Sequence, residues 1–168
     1  MKKVVKFGGS SLASAEQFKK VGAIIRSDAG RRFVVPSAPG KRFSEDIKVT
    51  DMLYACYALA AEGKEFAKEL RQIERRYQEI IDGLELKLSL EKEFSLIREN
   101  FTNKAGKDYA ASRGEYLNSI IMANYLGYEF VDAAEVIVFR EDGSFDMEKT
   151  TEVLGERLKE MENAVIPG

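Results

Sequence analysis

The chain has 168 residues, of which 45% are hydrophobic and 32% charged, a composition typical of one ordinary globular domain. Its 26 basic and 28 acidic side chains give a net charge of −2, which disfavours nucleic-acid binding because that function needs a basic excess. The apolar runs are too short to span a bilayer, and the polar residues after Phe7 interrupt any signal peptide, so we expect a cytoplasmic protein with no membrane contact.

The cysteine and histidine content narrows the chemistry. Cys56 is the single cysteine and histidine is absent, which excludes an intrachain disulfide, a zinc site of thiolates or imidazoles, and Ser-His or Cys-His catalysis within these residues. Cys56 lies on the apolar face of a predicted helix, which favours a buried small residue over a nucleophile. Any chemistry here must use carboxylates, lysines, hydroxyl groups and backbone amides.

The beginning of the chain predicts a βαβ unit. Residues 4–7 form a short strand that stops at two glycines, and Ser14 with Gln17 has the spacing of a helix capping box. Apolar residues then recur at helical spacing as far as Ile25, and residues 33–35 begin a second strand. Strand, helix and strand in this order indicate an α/β fold with a parallel sheet and right-handed crossovers.

A helical subregion, from about residue 50 to residue 126, follows a loop rich in proline, glycine and charge. Three amphipathic stripes predict its first helices, and a further helix runs from Tyr109 to Leu126, where Gly127 ends it. Charges between the stripes, such as Arg75 and Glu79, are interpreted as a solvated face with weak i,i+4 pairing. The inward positions of the stripes are Leu53, Cys56, Tyr57 and Ala60; Phe66, Leu70, Ile73, Tyr77 and Ile80; and Phe94, Ile97 and Phe101.

The remaining residues predict more strands and one more helix. Strands are expected at 129–131 and 134–139, followed by a turn at Asp142-Gly143, and a final strand begins at 164–166. The last helical stripe consists of Met147, Thr151, Leu154, Leu158 and Met161.

The first candidate site is the segment Lys6-Phe7-Gly8-Gly9-Ser10-Ser11, between the first strand and the first helix. Gly8 and Gly9 allow a tight turn that brings amide N–H groups close to a bound anion, and the following helix N-terminus favours negative charge. Lys6 can reach the same anion. The alternative is a plain strand-to-helix turn with a surface lysine, and the lysine at an otherwise apolar strand end favours the anion site.

Two further segments carry candidate binding residues. Ser37 and Ala38 follow the second strand at the edge of an open α/β sheet where ligands bind, and Thr50 begins the next helix. Taken alone, Ser37 fits a turn residue and Thr50 fits an N-cap. Gly114, before Glu115, costs roughly 1 kcal/mol inside a helix and therefore needs a reason, either close packing or a ligand near the backbone. Glu115 alone fits a ligand contact and a surface glutamate paired with Arg113 about equally.

Together these segments resemble the motifs of aspartate kinases, within the amino acid kinase superfamily. The matching residues are Lys6-Phe-Gly-Gly-Ser-Ser, Val34-Val-Pro-Ser-Ala-Pro-Gly40 with Thr50-Asp-Met-Leu53 after a charged insertion at 41–49, and Ser112-Arg-Gly-Glu115. The resemblance implies a parallel-sheet-based sandwich with helices on both faces. It also implies that Lys6 contacts the transferring phosphoryl group and that Gly8, Gly9 and Ser10 line the phosphates. Ser37, Ala38 and Thr50 would help to hold aspartate, and Glu115 would pair with its α-ammonium.

The implied reaction converts ATP and L-aspartate to ADP and 4-phospho-L-aspartate, the first step toward lysine, threonine and methionine. Magnesium would bridge the nucleotide phosphates with no evident ligand from this chain, and the intact enzyme would be a homo-oligomer. The resemblance covers residues 1–168, the N-terminal, aspartate-binding part of the kinase domain. The ATP-binding half and the regulatory ACT domains of the family are not among these residues, so we expect the chain alone to be an inactive fragment.

Two alternatives stay open on the sequence. One is a kinase for glutamate or N-acetylglutamate, and Glu115 discriminates because a free α-ammonium requires a carboxylate partner whereas an acetylated nitrogen does not. The other is a non-catalytic anion-binding or oligomerisation module that uses the helical stripes between Phe66 and Phe101 as a partner surface. An intramolecular core is the more ordinary use of such stripes.

Overall fold

A parallel four-stranded sheet organises the chain, which a computed structural model describes from Met1 to Gly168. None of its helices combines the length and the hydropathy that a membrane crossing would require. In chain order the elements are β1 (Lys3–Phe7), a 3-10 turn (Gly9–Leu12), α1 (Ala15–Arg26), β2 (Arg31–Pro36), α2 (Val49–Ala61), α3 (Ala67–Gly83), α4 (Glu91–Thr102), α5 (Lys107–Leu126), β3 (Glu129–Phe130), α6 (Ala133–Val136), α7 (Met147–Lys159) and β4 (Ala164–Val165).

The strands lie in the order β1-β2-β4-β3, and every pairing is parallel. β4 is therefore an internal strand, with Val165 paired to Val34 of β2 on one side and to Phe130 of β3 on the other. The predicted βαβ unit is confirmed, since α1 connects the adjacent strands β1 and β2. Ser14 caps α1 as the capping-box spacing predicted, because its hydroxyl accepts a hydrogen bond from the Gln17 amide at 3.4 Å.

Helices cover both faces of the sheet, so the predicted α/β sandwich is confirmed. Alternate residues of a strand point to opposite faces, and Val34 belongs to a core of 26 buried residues while its neighbour Phe33 belongs to a core of 6. The larger core lies between the sheet and helices α1 to α5. The smaller core contains Val136 of α6 and is covered by apolar side chains of α7.

The helical subregion forms as the stripes predicted, with the inward residues of α2, α3 and α4 buried against α5 and each other. Aromatic rings join these helices, for example Tyr57 and Phe101, whose centroids are 5.3 Å apart in an edge-to-face arrangement. Arg75 and Glu79 lie on an exposed face, as predicted, but the predicted i,i+4 pairing between them is wrong. Glu79 accepts a hydrogen bond from Arg42 at 2.9 Å, across the molecule, and forms no ion pair with Arg75.

The expected strand at 134–139 is also wrong. Residues 133–136 form the short helix α6, because the Asp132 side chain accepts a hydrogen bond from the Ala134 amide at 3.0 Å and caps a helical turn. Only Phe139 makes a strand-like bridge, to Phe145, across the predicted turn. The expected strand at 129–131 is confirmed in shorter form, as β3.

The inward face of α7 is rotated relative to the predicted stripe. Met147 and Thr151 are exposed, whereas Thr150 is buried. The hydroxyl of Thr150 accepts a hydrogen bond from the Val138 amide at 2.9 Å, which fixes the segment after α6 against α7. Leu154, Leu158 and Met161 pack into the smaller core as predicted.

Candidate functional site

A cleft of about 500 Å³ opens at the carboxyl ends of β1 and β2, the edge of a parallel sheet where ligands bind. Residues from four segments line it: the turn after β1, the loop after β2, the start of α2 and the middle of α5. These residues are Gly9, Ser10, Ser37, Ala38, Pro39, Gly40, Lys41, Lys48, Thr50 and Glu115. Six of the eight residues predicted from the sequence therefore meet in one cleft, and Lys6 and Gly8 do not line it.

The two loops at the sheet edge touch through glycines. The Gly40 amide donates to the Gly9 carbonyl at 2.8 Å, and the Ser37 amide donates to the Phe7 carbonyl at 3.0 Å. A Cβ on Gly9 would lie 2.8 Å from the Ala38 carbonyl oxygen, and a Cβ on Gly40 would lie 2.7 Å from the Gly9 carbonyl carbon. Both positions therefore exclude a side chain. Gly8 is different, because nothing lies within 4 Å of the position that its Cβ would occupy.

The side chain of Lys6 points to the face of the sheet opposite the larger core. Val5 and Phe7 pack against the larger core, so the side chain of Lys6 between them points toward the opposite face. Its register partner is Val35, and it is exposed to solvent. Lys6 and Glu115 are therefore not brought together in the cleft, although Lys6 is only three residues, about 10 Å of extended chain, before Gly9.

Thr50 and Glu115 are positioned by the contact between α2 and α5. The N-cap of α2 is Lys48, so Thr50 lies inside the first turn and its hydroxyl is not used as a cap. On α5, a Cβ at Gly114 would lie 2.7 Å from Ala38 Cβ and 3.7 Å from Thr50 Oγ1. Close packing is thus the reason for a glycine within this helix, and it holds Glu115 beside Thr50 and the loop after β2.

Two buried groups support α5 below the cleft. The Tyr77 hydroxyl donates to the Gly114 carbonyl at 2.8 Å, and burial, together with the nearby Glu115 carboxylate, raises the pKa of Tyr77 well above its usual value. Asn118, one turn after Glu115, donates its side-chain amide to the Ser37 carbonyl at 2.7 Å. Its own side-chain oxygen is buried without a partner. The sequence reasoning missed Asn118, although a polar residue at an inward helical position was a signal for it.

A buried arginine fixes the charged insertion between β2 and α2. The Arg76 guanidinium donates to the Gly40 carbonyl at 3.0 Å, to the Ile47 carbonyl at 3.1 Å and to Asp46 Oδ2 at 3.1 Å. It thereby contacts both ends of the segment 41–47, which contributes Lys41 to the lining of the cleft. Sequence reasoning missed Arg76, which stands three residues after the buried Ile73 and therefore at an inward position of α3.

The electrostatics of this loop depend on Asp46, whose side chain is only 9% exposed. Hydrogen bonds from Arg42 lower the pKa of Asp46 far below its usual range, against the raising effect of its own burial, and the Arg76 charge lowers it further. The hydrogen bond to Asp46 raises the pKa of Arg42, whereas burial lowers the pKa of Arg76. Asp46 is therefore ionised and shared between two arginines.

A second, larger cavity of about 690 Å³ lies between α3 and α4. Residues such as Arg71, Glu74 and Arg98 line it, and none of its lining residues belongs to the motifs identified in the sequence. The smaller cleft at the strand ends therefore remains the candidate site. The structure contains no group of three or more histidine, cysteine, aspartate or glutamate side chains arranged to hold a metal ion.

Comparison with known proteins agrees with the motifs. The model of the amino acid kinase family matches residues 1–168. The chain is 40% identical over 143 residues to aspartokinase 3 of Bacillus subtilis (strain 168), a match that covers 80% of this chain and 31% of that protein. The chain thus spans about a third of the length of this relative.

Solved structures show the same fold. The aspartate kinase of Clostridium acetobutylicum is 49% identical, with a TM-score of 0.95, and the match covers 100% of this chain and 39% of that one. Aspartokinase III of Escherichia coli, in complex with aspartate and ADP, is 22% identical with a TM-score of 0.77, and the match covers 100% of this chain and 40% of that one. At that identity the second likeness concerns the fold alone.

Proposed function

Since this chain belongs to the amino acid kinase family, we propose that it forms the N-terminal, aspartate-binding part of the catalytic domain of an aspartate kinase. The single observation that carries the proposal is the cleft in which Glu115, Thr50 and Ser37 meet the Gly9-Ser10 turn. The names of the relatives that are 40% and 49% identical support aspartate as the substrate.

In the proposed complex, the cleft orients L-aspartate through its charged and polar groups. Glu115 pairs with the α-ammonium, and the Thr50 hydroxyl, together with Ser37 and Ala38 of the adjoining loop, holds the rest of the amino acid. A free ammonium in a half-enclosed cleft needs a carboxylate partner, because a charge removed from water without one is costly.

The chemistry needs no general base. The side-chain carboxyl of free aspartate has a pKa of about 3.9, so it is ionised near neutral pH and can attack the γ-phosphorus of ATP directly. A bond forms between that oxygen and the γ-phosphorus, the bond to the β,γ-bridging oxygen breaks, and ADP leaves with the electron pair. Phosphoryl transfer of this kind depends on alignment and on stabilisation of the charge that develops.

The groups that supply this stabilisation in the proposal are the Gly9 and Ser10 amides and the Lys6 ammonium, with Gly8 in the same turn. Lys6 approaches the phosphoryl group from the opposite sheet face, around the end of β1. Such an approach suits a reaction in which nucleotide and amino acid enter from two sides. The proposal assigns no metal ligand to this chain, and Mg²⁺ would be carried by the nucleotide phosphates.

The proposal further includes residues outside this chain. The aspartate kinase of Clostridium acetobutylicum is matched over 39% of its length, and we propose that the ATP-binding half and the regulatory ACT domains lie in the portion that has no counterpart here. On this basis the 168-residue chain alone should form little or no acyl phosphate. The intact enzyme would be a cytoplasmic homo-oligomer that begins the synthesis of aspartate-derived amino acids.

The test is a substrate panel on a protein of full kinase length that carries this chain. Acyl phosphate is trapped with hydroxylamine after incubation with ATP and L-aspartate, L-glutamate or N-acetyl-L-glutamate. We expect turnover with L-aspartate alone. Preference for either of the other substrates would reject aspartate as the acceptor, and absence of turnover with all three would favour a non-catalytic module.

Glu115→Gln provides the test of the site within that panel. Removal of the charge from Glu115 should raise KM for L-aspartate by about tenfold or more, because a charge-assisted hydrogen bond is lost, while KM for ATP stays unchanged. Glu16→Gln, on the exposed side of α1, is the matched control and should leave both constants as they are. An unchanged KM for aspartate in Glu115→Gln would contradict the assigned role.

A further inference from the structure

The cavity between α3 and α4 combines an apolar inner wall with a positively charged rim. Its volume of about 690 Å³ lies within the range of small-molecule sites in proteins. The wall consists of buried side chains of both helices and of the residue that precedes α4: Tyr77, Ile81, Leu90 and Phe94. The apolar body of a ligand can therefore pack against this wall.

Arginines supply the charge of the rim. Arg71, Arg75 and Arg98 line the cavity and are exposed, and the anions among the lining residues are Glu74 and Glu91. Three arginines against two glutamates leave one positive charge in excess, although the net charge of the whole chain is −2. A local excess of this sign attracts an anionic group.

Two of these arginines have no partner within the chain. Arg98 lies 3.9 Å from a carboxylate oxygen of Glu74, whereas Arg71 and Arg75 make no ion pair and no side-chain hydrogen bond in the structure. Arg71 and Arg75 stand four residues apart on α3, so they are neighbours on one side of the helix. Guanidinium groups bind carboxylates and phosphates through two parallel N–H donors, which makes such a pair suited to an oxyanion.

The wall is fixed before any ligand binds. The Tyr77 hydroxyl donates to the Gly114 carbonyl at 2.8 Å, and the rings of Tyr77 and Phe94 pack with their centroids 6.1 Å apart. Ile81 and Leu90 also belong to the larger core. A wall held by the core in this way loses little conformational entropy on binding, so more of the contact energy contributes to affinity.

We infer that this cavity is a second binding site, which takes a small molecule that joins an apolar body to a carboxylate or phosphate group. The apolar body packs against the wall at Leu90 and Phe94, and the anionic group pairs with Arg71 and Arg75. The site is separate from the cleft at the strand ends, because no residue lines both. The inference does not depend on the proposed function.

The experiment measures the binding of 1-naphthylacetate to a protein of full kinase length that carries this chain. Calorimetric titrations are run with saturating L-aspartate and ADP, which occupy the cleft at the strand ends under the proposed function. 1-Naphthylacetamide, with the same apolar body and no charge, is the matched compound. We expect the parent to bind the acetate about fivefold more tightly than the acetamide, as for pairing with exposed charges.

A double variant, Arg71→Ala with Arg75→Ala, removes the charge partners. In this variant the acetate should bind no more tightly than the acetamide, because the preference of the parent comes from the two guanidinium groups. The matched control is Arg157→Ala with Lys159→Ala, which removes two positive charges from α7 on the other face of the sheet and should keep the preference. A preference that survives in the first variant, or is lost equally in the control, would overturn the inference.

A blocking variant tests the cavity itself. Ser95 lines the cavity and is exposed, so Ser95→Trp should fill the space and weaken the binding of both compounds by about tenfold or more. Leu96→Trp is the control, since Leu96 is 55% exposed and does not line the cavity. Urea denaturation shows whether both variants are folded. Unchanged binding in folded Ser95→Trp would place the compounds elsewhere and reject the site.

The anionic group of the ligand is identified with 1-naphthyl phosphate. Tighter binding than that of 1-naphthylacetate assigns a phosphate ester to the site, and weaker binding assigns a carboxylate. If the parent binds neither compound, the inference is rejected and the proposed function is unaffected. If the parent binds one of them at this cavity but does not phosphorylate L-aspartate, the proposed function is rejected and the inference stands.

Discussion

Gly114 allows α5 to pack closely against the loop after β2 because its side chain is only a hydrogen atom. In Gly114→Ala the new Cβ would lie 2.7 Å from Ala38 Cβ, so the helix or the loop must shift. We expect a loss of about 1–3 kcal/mol in the free energy of unfolding, as for other overpacked sites, and a higher KM for aspartate. Urea denaturation and steady-state kinetics measure the two effects.

The matched control is Gly155→Ala in α7. Nothing lies within 4 Å of the Cβ position there, so alanine should stabilise the helix by about 0.5–1 kcal/mol. If Gly114→Ala were as stable as the parent, the close contact between α5 and Ala38 would not be a constraint.

Lys6 tests the phosphoryl side of the proposal. Lys6→Ala should lower kcat by about a hundredfold or more, because a charge that acts mainly in the transition state is removed. Lys3→Ala, in the same strand but paired with Asp28, should keep kcat close to that of the parent. Steady-state kinetics with saturating L-aspartate and ATP distinguish the two variants, and a near-normal kcat in Lys6→Ala would make this lysine a surface residue.

At the residue scale, the sequence predicted the site residues that belong to recognisable motifs. It missed those whose role depends only on their burial in the folded structure. Ser37, Thr50 and Glu115 were identified and do meet in one cleft. Arg76 was missed because it stands in a run of charged residues, and a pattern of residue types does not show that its guanidinium will donate to three acceptors in the loop after β2. Lys6 was identified, but a linear motif cannot say to which sheet face a side chain points.

Among the elements, the insertion loop should carry an acid-sensitive part of the stability. The pKa of Asp46 is lowered in the folded state, so its ionisation stabilises the fold above the unfolded pKa of about 3.9, and this contribution is lost as the pH falls below that value. Asp46→Asn should therefore be less stable than the parent at pH 6, and the difference should narrow between pH 4 and pH 2.5. Urea unfolding at a series of pH values measures it.

The control for that series is Asp142→Asn. The pKa of Asp142 is also lowered, through hydrogen bonds from Ser144, but this group is exposed in a turn. Its effect on stability should be small at every pH. A constant difference between Asp46→Asn and the parent across the series would contradict the role of the ionised carboxylate.

The elements also show why one predicted strand became a helix. Val136, Ile137 and Val138 favour a strand by residue type. Asp132 and the two alanines after it favour a helical start, and the cap closes a turn within a few residues, whereas a strand would need a partner. The local hydrogen bond of the cap therefore outweighs the strand propensity of these residues.

For the whole molecule, the sheet with a core on each face is the framework that supports the cleft. Val165 of β4 is fully buried in the larger core, and Val4 of β1 is 69% exposed. Val165→Ala should lower the free energy of unfolding by roughly 1–3 kcal/mol, and Val4→Ala by less than about 0.5 kcal/mol. Urea denaturation of both variants tests this, and equal stability would mean that β4 is dispensable to the sheet.

The sequence predicted the α/β class because βαβ spacing is local. It did not predict the strand order, since the pairing of Phe33 with Ala164 joins residues far apart in the chain and leaves no trace in either segment alone. The same holds for the cleft as a whole, whose walls come from four separate segments.

The internal position of β4 also constrains the order of events on the ribosome. β2 and β3 are both synthesised before the strand that joins them, so their facing edges stay unpaired while the nascent chain grows. Unpaired strand edges are prone to aggregation, and such long-range pairing is slow to form. We therefore expect biosynthesis of this chain to depend on chaperones that protect the half-built sheet until residues 164–165 emerge.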